Sequence, residues 1–270
     1  MCRKHVTNTH SSNTTIDLNI SYLIFHFYKY TGLIAENAGA FHTDAFEQLS
    51  KKYQNKLPET QLDIMMDISE IVGSYCPVGN LGCRSEAYQA TLDRFSKHEQ
   101  KQRGDGIPSN MDPKVKKSLR KIYSIINKLD ETNVDVVVEE LAKVQNKISK
   151  MKNVNPKDQM IAIAAASVAQ ESSTFWINAY NDENHPLSPI LSEVHDSKRM
   201  LQVSGNLTWE DFVPLNQSAI VDADTKGAVE YSITAVNATP NLVFNFAELL
   251  LKLIAGAIPA SAAIALTVQN

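Results

Sequence analysis

The chain has 270 residues, 43% of them hydrophobic and 21% charged, which excludes wholesale disorder and a polytopic membrane protein. Glycine and proline together number 20, fewer than a many-stranded sandwich or barrel needs for its turns, so long helices are expected. A net charge of −4 and a pI near 6.0 leave no global basic footprint, and no nucleic-acid partner is expected.

Residues 1–19 are polar and lack apolar periodicity, the composition of a disordered tether. Arg3 and Lys4 are followed by polar residues rather than an apolar core, so no signal peptide is visible. Cys2 therefore has two readings: the lipidated start of a lipoprotein whose signal was trimmed, or a ragged cytosolic N-terminus. The run Ile20–Tyr30 is too short to span a bilayer and leads into the fold. Leu33, Ala38, Phe41, Ala45, Leu49 and Tyr53 step with helical spacing until Pro58. A second such pattern covers Glu59 to Tyr75, and a third covers Ser85 to Gln102.

Between the second and third lie Cys76 and Cys83, around a loop containing Pro77, Gly79 and Gly82. Either the two thiols are free or they form a disulfide, which for so short a loop contributes about 2–3 kcal/mol. No second cysteine pair or histidine pair completes a zinc site. Residues 103–112 form a linker with two Gly and a Pro, dividing an N-terminal helical part (20–102) from a C-terminal one (113–270). The two parts are compatible with a single domain. The tripeptide Arg103–Asp105 is too short to argue integrin recognition.

Asp112 and Pro113 are cap and first residue of a helix carrying Val115, Leu119, Ile122, Ile126 and Leu129 on one stripe. After a short connection, Val137, Leu141, Val144 and Ile148 form a second stripe, so the pair is an antiparallel hairpin that packs on other helices. Lys114, Lys116, Lys117, Arg120 and Lys121 lie largely opposite the apolar stripe; such a stretch can meet phosphate or acidic lipid, but the stronger reading is a solvated helix back. Asn155-Pro156 opens an Ala-rich helix running to Tyr180, apolar on most faces and hence central. Residues 181–207 read as loop, and Thr208–Asp211 as a capping box beside Trp209. A helix over 216–236 follows, then an apolar helix over 242–266 interrupted by Glu248, Lys252 and Pro259. The expected fold is all-α: an irregular bundle of about seven to eight helices with a central antiparallel hairpin and a buried Ala-rich helix.

Sites of chemistry are sparse. No phosphate loop, dinucleotide fingerprint or nucleophile elbow occurs, and no catalytic residue, cofactor or metal is assigned. The seven histidines (His5, His10, His26, His42, His98, His185, His195) are scattered. Asp63, Asp67 and Glu70 share a helical face, but no Glu-x-x-His accompanies them as a diiron site requires. Asp222 and Asp224 in a moderately apolar helix are a weak pair for acid–base work. Asn13, Asn19, Asn206, Asn216 and Asn237 stand in glycosylation sequons, relevant only to a eukaryotic secretory path.

Three short motifs carry a resemblance. Gly39-Ala-Phe-His42 matches a G-x-x-H-N pattern, with Thr43 in place of the Asn. Ile161–Trp176 matches an Ala/Ser-rich helix ending in S-x-x-Y/F-W, and Ala223-Asp224-Thr225-Lys226-Gly227-Ala228 matches A-D-x-x-G-A. In their order the chain resembles a loose group of exported Bacteroidetes-type helical proteins, often lipoproteins. Its C-terminal Leu/Ala-rich helix departs from the Gly-rich tail of that group. The resemblance implies export to the cell envelope or beyond and a helical fold, and it implies no activity. Three functions stay open: a non-enzymatic structural or interaction protein of the envelope; a protein in contact with membrane through its tether or residues 242–266; and an all-α enzyme or small-molecule binder. A protein partner and a cytoplasmic location are compatible alternatives.

Overall fold

A computed structural model describes residues 35–54, 56–76, 79–97, 106–192, 194, 217–238 and 246–266. Cys2, the run 20–30, Arg103–Asp105, Trp209 and four of the sequons lie outside them. Eight long helices follow in order, and no strand occurs among the described residues. They are α1 (Ala38–Tyr53), α2 (Gln61–Ser74), α3 (Leu81–Lys97), α4 (Pro113–Ile126), α5 (Val134–Ser149), α6 (Pro156–Asn181), α7 (Gln217–Ala238) and α8 (Phe246–Ala265). The architecture is an irregular all-α bundle.

Local chemistry sets the helix starts. Asp112 accepts from the Lys114 N–H at 2.8 Å and Asn155 from the Lys157 N–H at 2.9 Å, each with proline at the first helical position. Thr60 and Asp63 form a reciprocal capping box, which starts α2 two residues later than its apolar pattern begins. α3 begins four residues before the expected Ser85, because the Asn80 side chain accepts the Cys83 N–H at 3.1 Å and extends the helix toward the loop.

α6 is the axis. Ala162, Ala164, Ala165, Ala166 and Ala169 are all buried, and α1, α4, α5 and α7 pack around it. The small side chains bring neighbours close. Gly39 in α1 sits where a Cβ would lie 2.2 Å from the Ser167 carbonyl oxygen. Ser167 Oγ completes that joint by accepting the Gly39 N–H at 2.9 Å and donating to the Glu36 carbonyl at 2.8 Å. α4 and α5 form the antiparallel hairpin on one flank of α6. The Asp112 N–H donates to Asp158 Oδ2 at 2.7 Å, so the start of α4 meets the start of α6, where α5 has just ended.

α7 and α8 pack as closely. A Cβ at Gly227 would lie 2.2 Å from the Gly256 carbonyl oxygen, and one at Gly256 would lie 2.3 Å from that of Gly227. Residues 255–266 are buried, and α8 packs against α1, α2 and α3 as well as α7. Thus helices from before and after residues 103–112 share one hydrophobic cluster. The end of the expected linker belongs to it too, since Met111 is buried and Ile107 packs against the core. The stretch expected as loop after residue 181 contains helix from residue 188. Pro189 falls in its first turn, where no backbone donor is required, and Leu187, Ile190 and Leu191 are buried.

Candidate functional site

Four polar side chains from three helices, one of them His42 of the scattered histidines, meet in one place. His42 lies on the buried stripe of α1, in line with Ala38, Ala45 and Leu49. Asp224 lies on the buried stripe of α7, flanked by Ile220, Val221 and Ala228. Ser172 and Trp176 stand one turn apart on α6. All four meet at the Asp224 carboxylate. Oδ2 accepts from the Trp176 indole Nε1–H at 3.0 Å and from the Ser172 hydroxyl. Oδ1 lies 2.9 Å from His42 Nε2, at ion-pair distance but without the alignment of a hydrogen bond, and the two side chains are 0% and 1% exposed. His42 Nδ1 has no hydrogen-bond partner among the described residues.

An aromatic shell closes the network. The Phe46 ring packs 5.0 Å from His42 and edge-on to Trp176 at 4.9 Å, and Phe175 packs edge-on to Trp176 at 5.2 Å. His185 packs edge-on to Phe175 at 5.5 Å and accepts the Leu187 N–H on Nδ1. Burial holds the His185 imidazole below its ordinary pKa, partly offset by Asp182.

Chemically this is a hub, not a relay. Nucleophilic relays place the histidine between serine and aspartate. Here Ser172 donates directly to the aspartate, and among the described residues no serine meets the other nitrogen of His42. A buried carboxylate that accepts two hydrogen bonds beside an imidazole joins α1, α6 and α7 at one point. Leaving any donor without its acceptor there costs about 1–3 kcal/mol.

The weak pair Asp222–Asp224 does not come together. Asp222 faces outward and pairs with Lys226 at 2.6 Å, while Asp224 faces the core. The acidic face of α2 is also separated in role. Asp63 caps the helix, whereas Asp67 and Glu70 both grip Lys52 at 2.8 Å. Among the described residues no group of three His, Cys, Asp or Glu is placed to hold a metal. A surface depression between α2 and α3 is lined by Met66, Ser69, Glu70, Gly73, Ser74 and Arg84, and includes no residue of the buried network.

Cys76 and Cys83 are joined in a disulfide, with Cα atoms 5.8 Å apart, which ties the end of α2 to the start of α3. Among the described residues no helix is long and apolar enough to cross a membrane.

His42, Trp176 and Asp224 stood out in the sequence, whereas Ser172 and the convergence of the four did not. The signal was a polar residue in register with an apolar stripe, at His42 and at Asp224. The three motifs that carry the resemblance supply the members: His42 with Gly39, Ser172 with Trp176, and Asp224 with Gly227. No family model matches the chain, and neither a curated protein nor a solved structure is similar to it.

Proposed function

We propose that the chain is a non-enzymatic helical protein of the cell envelope or extracellular space, with a structural or interaction role. The observation that carries this reading is the closed state of the His42–Asp224 network. The residues that would do chemistry are sealed from solvent and engaged in joining three helices. The Cys76–Cys83 bridge supports the compartment, because such bonds persist in oxidising surroundings. The resemblance to exported helical proteins points the same way, since its motifs each have a physical task in this core. A lipid on Cys2 would anchor the domain through a polar tether.

The test is to alkylate the protein in its native source before any reduction, fractionate the cells, and measure the intact mass. The proposal predicts an envelope or extracellular protein in which Cys76 and Cys83 escape alkylation and are linked in one peptide pair. A soluble cytosolic protein with three alkylated thiols would overturn it.

A further inference from the structure

Charge is distributed unevenly along this acidic chain. Residues 112–121 and 147–158 contain nine Lys or Arg and two Asp, a net of +7, so with the whole chain at −4 the remainder carries −11. The fold brings these two segments to one end of the bundle. Asp112 at the start of α4 is bonded to Asp158 at the start of α6. Gln159 Nε2 donates to the Ile148 carbonyl at 2.7 Å, and the Ser149 and Met151 carbonyls lie within 3.3 Å of it, which fixes the end of α5 against the same point.

On this end Lys114, Lys117, Lys121, Lys147, Lys150 and Lys152 are exposed, and none has a carboxylate at ion-pair distance among the described residues. Elsewhere among the described residues five lysines are engaged, Lys51 with Glu47, Lys52 with Asp67 and Glu70, Lys56 with Glu59, Lys143 with Glu139, and Lys226 with Asp222, and Lys128 stands alone. The two anionic residues of the basic end are occupied in capping and bracing, Asp112 on α4 and Asp158 on the Asp112 N–H.

We infer that this end is a docking surface for an anionic phospholipid bilayer. Eight of the nine cationic residues are lysine, which attracts diffuse negative charge and lacks the planar fork that reads a phosphate or base bidentately. The two segments contain no aromatic residue on which a nucleic-acid base would stack. The −11 carried by the rest of the chain repels an anionic surface, so attraction and repulsion together present only this end to it. Docking of this kind needs no exposed apolar helix, and so is independent of α8, whose residues 255–265 are buried, and of the compartment proposed above.

The experiment is flotation of the full chain with phosphatidylglycerol-containing vesicles and with pure phosphatidylcholine vesicles. The expected result is binding to the anionic vesicles at about 0.1 M salt, none to the neutral ones, and release at about 1 M salt, where charges are screened within ~3 Å. Each lysine neutralised lowers partitioning by about fivefold, so K114Q/K117Q/K147Q/K150Q lowers it by several hundredfold. K51Q/K56Q, with the far-end lysines neutralised, leaves it within about tenfold of wild type, against the same loss of two charges in K114Q/K117Q. Circular dichroism checks that each variant is folded. Equal binding to neutral and anionic vesicles, or full binding by the folded quadruple variant, overturns the inference. So does binding to duplex DNA at the same salt that is as tight as binding to the anionic vesicles.

Discussion

Replacing Asp224 by alanine removes the single acceptor at which α1, α6 and α7 meet. The Trp176 indole N–H and the Ser172 hydroxyl lose their partner, and His42 loses the carboxylate beside its Nε2. Each buried donor left unmade costs about 1–3 kcal/mol, and breaking a buried charged contact by removing one side costs about 3–5 kcal/mol. These overlap, so the expected loss is about 4 kcal/mol, a large part of the ~5–15 kcal/mol that holds a domain folded. For a domain of this size that lowers Tm by about 8–16 °C. Asp222→Ala on the same helix is the control. It removes only the outward pair with Lys226 and costs less than about 1 kcal/mol. Urea unfolding followed by circular dichroism and Trp fluorescence measures both. In the double variant with His42→Ala the two losses fall short of additivity by about 1–3 kcal/mol, because they remove parts of one contact. A D224A loss no larger than that of D222A would refute the argument that the network joins the helices.

The close helix contacts make a sharper contrast among glycines. Gly227→Ala and Gly39→Ala drive a Cβ to 2.2 Å from a backbone carbonyl oxygen and cost about 3 kcal/mol or more, whereas Gly73→Ala, whose Cβ meets nothing nearer than 3.9 Å, is neutral or stabilises by up to about 1 kcal/mol. Thermal unfolding of the three variants separates them. Reducing Cys76–Cys83, or replacing both by serine, lowers stability by about 2–3 kcal/mol through the short loop it closes, read as a Tm drop of about 5–10 °C in reductant. His185 is held below its ordinary pKa of 6.5 by burial, so the folded state binds that proton more weakly than the unfolded chain. Its contribution to stability is present above pH 6.5 and is lost as pH falls through the lower folded value. His185→Gln therefore flattens the acid limb of a stability–pH profile below pH 6.5, and an unchanged limb would contradict the burial of that ring.

Much of the fold was legible because long helices announce themselves by period. Val115, Leu119, Ile122 and Ile126 are all buried, as are Leu141 and Ile148, and the caps at Asp112 and Asn155 fall where the dipeptides Asp-Pro and Asn-Pro put them. The run of Ala162 to Ala169 was readable as a buried axis because it is apolar on every face but for the small Ser167. Helix ends were harder. The early start of α3 depends on one side-chain acceptor at Asn80, and the helix near residue 188 hides behind prolines that ordinarily signal loop. The polar network was legible only in part. His42, Ser172, Trp176 and Asp224 are up to 182 residues apart in sequence. Periodicity places each on the inner face of its own helix, yet nothing local says that the inner faces of α1, α6 and α7 meet at one height. Gly39 against Ser167 fixes α1 on α6, and Gly227 against Gly256 fixes α7 on α8, contacts that exist only once the bundle has closed. The basic end has the same origin, since its two segments are separated by a whole helical hairpin and meet through Asp112 and Asp158.

Closure of the network around Asp224 is what holds α1, α6 and α7 together. Hydrogen exchange of the Trp176 indole N–H, followed by NMR and assigned with Trp209→Phe, tests that closure directly. The account predicts exchange only through global unfolding, with a protection that equals the unfolding free energy measured in urea. Rapid exchange in a protein that remains folded would contradict it, since water would then reach His42 and Asp224 and the site would be open to a ligand.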